Sequence, residues 1–390
     1  MRMGESLPLL IGTSGWSYDE WVGPFYRDGR GMLRRYVEVF PTVEINSTFY
    51  RYPTSRMVRG WYRAAPPGFV YAVKLPKVIT HDKWLRLEEG VEEDLERFLD
   101  LMRPLAEKLG PILIQLRPKF SYERHIEDLE RFLDILPEHY EWAVEFRHPS
   151  WMRGDTWKLL RSYGVAYTIV DEPLLPPEVE VTADFAYIRW HGHGRRIWYD
   201  YEYSEDELEN WVPKVREAER RAEKVYGYFN NHFSANAVKN AIELLKLLGE
   251  ATPEQLRVLK RIKEFREQLL RPIGIRPLEA YGEGLGVADL LLRFTTTSRL
   301  IRAEGMDEGE IEITRADPDY VEAYIRGYTI EIDAEGRVIR HDCDDWRKGL
   351  DEKRMCKHLA RLFLSLPEEL ARGLLERIWE ERDRWRFEAL

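Results

Sequence analysis

The sequence predicts an α/β protein: a TIM-like (β/α)8 barrel followed by a smaller α+β region containing a ββα zinc-binding module. Two observations carry this. Over roughly the first 250 residues, short β-rich apolar runs alternate with amphipathic helical stretches, the pattern of a barrel of parallel strands. Towards the other end, the two cysteines of the chain each stand two positions from a histidine, in His341-Asp342-Cys343 and Cys356-Lys357-His358.

The runs that read as strands are 9–13, 42–47, 69–74, 112–116, 142–146, 165–170, 185–190 and 225–229. Helical spacing fills the intervals, for example over 33–40, 91–109, 126–136, 156–163, 205–222 and 234–248. An open doubly wound sheet is the competing arrangement. It normally carries a glycine-rich phosphate turn after its first strand, and Gly12-Thr13-Ser14-Gly15-Trp16 lacks the G-x-G-x-x-G form.

In a barrel the strand ends line one mouth, where the chemistry of barrel enzymes sits. The ends here are polar: Glu44 and Asn46, Lys74, Gln115, Glu145 with Arg147 and His148, Asp171, Arg189 with His191, and Asn230 with Asn231. Several are i, i+2 pairs, which project from one side of a strand. Burying such charges costs several kcal/mol each unless they pair. The set therefore reads either as an ion-pair lattice or as a site for a polar or anionic ligand. Four of the six asparagines (Asn230, Asn231, Asn236, Asn240) fall within eleven residues at the last strand and the helix after it. They suit backbone bonding there, or contact with a ligand. Aromatic residues near the mouth (Trp16, Tyr18, Trp21, Tyr50, Trp151, Trp190, Trp198) suit packing, and some suit stacking on a sugar or base.

These segments carry a resemblance. Gly12-Thr13-Ser14-Gly15-Trp16, Gly23-Pro24-Phe25-Tyr26, Val43-Glu44-Ile45-Asn46-Ser47-Thr48-Phe49-Tyr50, Glu145-Phe146-Arg147-His148, Arg189-Trp190-His191-Gly192 and Tyr228-Phe229-Asn230-Asn231 are similar to the YecE-like family, domain of unknown function 72. The resemblance covers about residues 8–248 and implies a TIM-like barrel. It places Glu44, Asn46, Glu145, Arg147, His148, Arg189, His191 and Asn230 on the family's motif positions, and it supplies no reaction.

The expected organisation is a barrel over 1–249, a helical connecting region over 250–319 and a metal module with a last helix over 320–390. Thr252-Pro253-Glu254 opens a helix, with Thr252 as its cap. From Glu254 to Arg302 ten Arg/Lys face six Asp/Glu, with Arg257, Lys260, Arg261, Lys263 and Arg266 on one short helix. That helix is either a solvated surface or a track for phosphates. Gly282 to Gly286 reads as a turn before another helical run over 287–294.

In the module, an alternating run over 328–332, a turn at 333–336 and a second run over 337–340 lead into the first histidine–cysteine hook, and helical spacing follows the second. Two thiolates and two imidazoles suit a tetrahedral Zn²⁺ held by His341, Cys343, Cys356 and His358. The order resembles the SWIM zinc-binding domain, C-x-C then C-x-H, over about 320–364, with His341 in place of the first cysteine. The surrounding acidic residues disfavour a grip on phosphate, so a structural or protein-binding role suits the module. A last helix is expected over 367–386.

The net charge of −10 offers no global field for a polyanion, so any nucleic-acid contact is local. The sequence has no apolar run of about 18 residues, and its start lacks a signal-peptide apolar region, which predicts a cytoplasmic protein without a membrane span. With 33% charged residues and few amides, the composition is thermophile-like. The functional expectation is a zinc-containing barrel hydrolase acting on a phosphate-bearing substrate, nucleic acid foremost. Glu44, Glu145 and His191 would be catalytic, and Asn46, Lys74, Arg147, His148, Arg189 and Asn230 would bind substrate. A divalent metal in the barrel is left open. The alternative is a non-enzymatic adaptor whose barrel binds a ligand and whose module binds a protein or DNA.

Overall fold

The computed structural model describes residues 9–194, 198–270, 286–295, 297–351 and 353–390. The turn expected at 282–286 lies, except for Gly286, outside them. The chain divides into two compact units that meet in sequence between Lys263 and Glu264. Among the described residues, no helix is long and apolar enough to cross a membrane.

The first unit is a closed barrel of eight parallel strands: β1 Leu9–Ser14, β2 Thr42–Ile45, β3 Val70–Lys74, β4 Leu109–Gln115, β5 Trp142–Glu145, β6 Ala166–Asp171, β7 Phe185–Trp190 and β8 Lys224–Phe229. Closure comes from β8 pairing with β1, Leu9 opposite Val225 through Thr13 opposite Phe229. Each expected strand is present to within a few residues. Parallel strands are buried on both faces and so read as continuous apolar runs. Between β6 and β7 the chain runs as coil over 172–184, where Pro173, Pro176 and Pro177 remove helical N–H donors.

Inside the barrel, Ala72, Ala143 and Ala166 leave room for Phe185, Tyr187, Tyr226 and Tyr228. The outward residues of the strands join the helices in the main core, where Trp190 stacks on Phe229 at 4.4 Å. A helix over Pro253–Leu270 opens with reciprocal bonds between Thr252 and Gln255 (2.8 and 3.2 Å). It adds Val258, Leu259 and Ile262 to the barrel core.

The second unit is built on a five-stranded sheet of order β13-β12-β11-β10-β9. Its strands are β9 Ile311–Ala316, β10 Tyr320–Ile325, β11 Tyr328–Asp333, β12 Val338–His341 and β13 Arg386–Ala389. The expected β11–β12 hairpin is present. The expected last helix is shorter, Glu368–Glu380, and the chain end instead forms β13, parallel to β12.

Candidate functional site

The i, i+2 alternation decides which side chains meet in the barrel. Along β7, Phe185, Tyr187 and Arg189 share the inner face, and His191 continues the series just beyond the strand. The tight turn after it needs Gly192. Its φ is +87°, and an added Cβ would lie 2.5 Å from the Trp198 carbonyl oxygen. On β2 the inner series is Thr42, Glu44 and Asn46; on β5 it is Ala143, Glu145 and Arg147.

These series meet in a buried ion network. The Glu44 carboxylate accepts from Ser14 Oγ (2.7 Å), Tyr187 Oη (2.6 Å) and Arg189 Nη2 (2.7 Å). Arg189 donates through Nη1 to Glu145 Oε2 at 2.5 Å. Arg147 pairs with both Glu145 and Glu172. Glu44 and Glu145 are fully buried (0% exposed), and each is matched by guanidinium. Burial alone would raise the Glu145 pKa, but Arg147, Arg189 and His191 outweigh it and hold the carboxylate well below its usual range.

Above this floor lies a cavity of about 520 Å³. Of the residues expected to be catalytic or to bind substrate, Asn46, Lys74, Arg147, Arg189, His191 and Asn230 line it, joined by Gln115, Tyr18, Tyr50 and Trp198 from the wider set. Glu44 and Glu145 do not; they sit beneath, holding the arginines. His148 also lies outside the lining. Its Nδ1 accepts from the Ser150 backbone N–H at 3.2 Å and caps the short helix Pro149–Trp151.

The side chains that do face the cavity have distinctive acid–base states. Lys74 Nζ donates to Gln115 Oε1 at 2.6 Å and lies 3.8 Å from the centre of the Phe49 ring. Burial, with Arg189 nearby, lowers its pKa to about 7. His191 accepts from Arg147 Nη2 at 2.9 Å, and its Nδ1 is 3.1 Å from the Asn230 amide. Burial and the two arginines lower its pKa to about 3, so at neutral pH it is an uncharged imidazole. Burial likewise lowers His81 and His232 to about 4. Glu172, which pairs with Arg147 but does not line the cavity, is pushed up to about 7 by burial, against the pull of Arg147.

His81, His232 and Glu172 escaped the sequence reading. They lie on connections beyond their strands, where turn geometry, not strand alternation, sets direction. The asparagine cluster splits in two. Asn231, Asn236 and Asn240 bond the Tyr201 and Tyr203 backbone, and Asn230 lines the cavity.

The second unit brings His341, Cys343, Cys356 and His358 together, all buried, with one donor atom of each within 4.8 Å of the others. It is the one such grouping among the described residues. β12 holds His341 opposite Ile330 and Ala389. The His341 Nδ1–H donates to the Thr329 carbonyl at 2.6 Å, which leaves Nε2 as the unprotonated nitrogen. That Nε2 and His358 Nδ1 are buried without a hydrogen-bond partner. Each cysteine caps a helix: Cys343 Sγ accepts from Trp346 N at 3.3 Å, and Cys356 Sγ from Leu359 N at 3.5 Å. Asp342 turns aside to accept from Thr329 N at 3.0 Å. Two orphaned imidazole nitrogens facing two capped sulfurs fit a metal ion such as zinc, whose tetrahedral ligands stand about 3.3–3.8 Å apart.

Comparison with known proteins agrees with the barrel. UPF0759 protein YunF of Bacillus subtilis is 25% identical over 266 residues, 62% of this chain and 94% of that protein. UPF0759 protein YecE of Escherichia coli K12 is 34% identical over 141 residues, 36% of this chain and 49% of that protein, so the match spans about half its length. A crystal structure of a DUF72 family protein from Thermotoga maritima is 37% identical, with a TM-score of 0.57 over 62% of this chain and 100% of that one. The family profile described as "Protein of unknown function DUF72" matches residues 10–264, more than half of the sequence, and the chain belongs to that family.

Proposed function

We propose that the barrel mouth binds a phosphate-bearing ligand, with single-stranded nucleic acid or a nucleotide as the leading class, and that the barrel is a hydrolase acting on it. One observation carries the reading. Among the described residues lining the cavity there is no carboxylate, while Lys74, Arg147 and Arg189 supply positive charge and Asn46, Gln115 and Asn230 supply amides. The acids that neutralise the arginines lie below, so the guanidinium forks stay fixed without an anion competing at the surface. The N–H donors that the arginines do not spend on these acids, together with Lys74, which forms no ion pair among the described residues, suit a phosphate, and Tyr18, Tyr50, Trp198 and Tyr199 on the same lining suit stacking. In this reading Glu44 and Glu145 position the arginines, and Lys74, poised near neutrality, holds phosphate in its charged form and accepts a proton from water in its uncharged form.

In the same reading the quartet is a SWIM-type structural zinc site. Four protein ligands close the coordination shell, and the ion would tie β12 to the helix Lys357–Ser365.

The test is anisotropy of a labelled oligothymidylate, followed by turnover of the same probe. With Arg147 and Arg189 already neutralised, the one phosphate neutralised by Lys74 predicts a shallow slope of log K against log salt, about −0.7. Arg147→Gln should weaken binding tenfold or more, with folding checked by circular dichroism because the change leaves Glu145 and Glu172 short of a buried partner. No saturable binding at low salt would remove nucleic acid. Binding without turnover would leave a non-catalytic binding barrel.

A further inference from the structure

The barrel unit holds a second cluster of cationic side chains, lining a separate cavity of about 330 Å³. It begins in the loop after β1, at Phe25-Tyr26-Arg27-Asp28-Gly29-Arg30. Asp28 Oδ1 accepts from the Arg30 backbone N–H at 2.8 Å, which bends this loop. Arg27, Arg30, Arg35 and Arg261 line the cavity with Asp28 as the single acid among the lining residues. Arg35 is neutralised by Glu38 and Glu254, at 2.8 and 2.7 Å. Arg27 and Arg30 form no ion pair among the described residues.

Arg261 comes from the helix Pro253–Leu270. Its neighbours Arg257 and Lys263 are spent on Glu254 and Glu243. Arg261 instead donates through Nη2 to the Phe25 carbonyl at 2.5 Å, fixing the loop that carries Arg27 and Arg30, and its Nε is buried without a partner. Burial, together with Arg35 and Arg27, lowers its pKa, so the guanidinium sits where its charge is disfavoured until an anion arrives.

We propose that this cavity is a second oxyanion site, in which Arg27, Arg30 and Arg261 hold a phosphate group. Three guanidiniums offer donors to several oxygens of one tetrahedral anion, a geometry a lysine cluster would not fix. The volume admits a phosphate or pyrophosphate, free or as part of a polynucleotide backbone. The site does not depend on the barrel-mouth reading.

The test uses the full chain and inorganic pyrophosphate in low-salt calorimetry. Wild type should bind two equivalents. Arg27→Gln/Arg30→Gln, exposed positions that leave the core untouched, should lose one and keep the other. Arg147→Gln should show the reverse loss. Arg261→Lys should weaken the second site tenfold or more, because it keeps charge and loses the fork. If wild type binds a single equivalent that survives Arg27→Gln/Arg30→Gln, the proposal is overturned. If that single equivalent is lost there and survives Arg147→Gln, this site stands and the barrel-mouth reading fails. Two equivalents in both wild type and Arg27→Gln/Arg30→Gln would also overturn it. A parallel titration with an oligothymidylate separates the sources: weakening in Arg27→Gln/Arg30→Gln assigns the site to a nucleic-acid backbone, and no change assigns it to free phosphate.

Discussion

Glu44 has little acceptor chemistry left to offer a substrate: Ser14, Tyr187 and Arg189 occupy three of its about four lone-pair positions. Removing its charge leaves the buried Arg189 guanidinium with Glu145 alone, and losing one of its two partners should cost part of the roughly 3–5 kcal/mol of a fully broken buried pair. Glu44→Gln should lower the urea midpoint accordingly, and Glu44→Gln/Arg189→Met should recover part of the loss; equal stability of Glu44→Gln and wild type would refute the pairing. Lys74 makes a different prediction. Its folded pKa, about 7, lies below the usual lysine value near 10.4. Between those values the unfolded chain binds the extra proton, so Lys74 costs stability in full below about pH 7, and the cost fades as pH rises towards 10. Ligand affinity runs the other way. A phosphodiester does not titrate near neutrality, so its binding should weaken as pH rises through 7, where Lys74 discharges and Glu172 ionises against Arg147. Lys74→Met should remove the lysine part of that slope; an unchanged profile would exclude Lys74 from the site. The spacings Glu145/Arg147 and Arg189/His191 made their shared direction legible in sequence. Nothing in sequence told that the carboxylates would be covered by the cations, because that depends on side-chain length across the barrel.

Elements were legible where one rule dominates. The eight barrel strands are buried on both faces, so apolar runs mark them without ambiguity. In the second unit the rules compete. β10 alternates correctly, with Val321, Ala323 and Ile325 buried, but Tyr320, Glu322 and Tyr324 break up its apolar signal. β13 is a stretch of Arg, Phe, Glu and Ala whose local composition reads as the end of a helix. Pairing with β12 and burial of Phe387 against Trp346, rings 5.0 Å apart, override that preference. Phe387→Ala should therefore destabilise the second unit by about 3 kcal/mol or more. Near-ultraviolet circular dichroism of the Trp346 region should change with it. A variant as stable as wild type would mean that β13 is dispensable.

At the scale of the whole molecule, each unit has its own hydrophobic core, and the metal ligands belong to one of them. Cys343 and Cys356 pack in the second core with Trp346, Met355 and Leu359, so an ion held there acts on that core directly. Burial holds the Cys356 thiol up, while its hydrogen bond to Cys343 and the two histidines hold Cys343 down. Both sulfurs must be deprotonated to hold an ion, so metal affinity should fall on acidification. Because the ion would bind the folded quartet and the unfolded chain far less, its binding free energy adds to the stability of residues 264–390. Calorimetry should resolve one unfolding step that a strong chelator moves down and added Zn²⁺ restores, with about one zinc per chain by elemental analysis. Cys356→Ser should reproduce the chelated profile without chelator. The step assigned to the barrel should keep its midpoint throughout, since its core contains no ligand of the quartet. If the chelated, zinc-free protein unfolds as wild type does, the quartet packs as an ordinary core cluster and the structural-metal reading is lost.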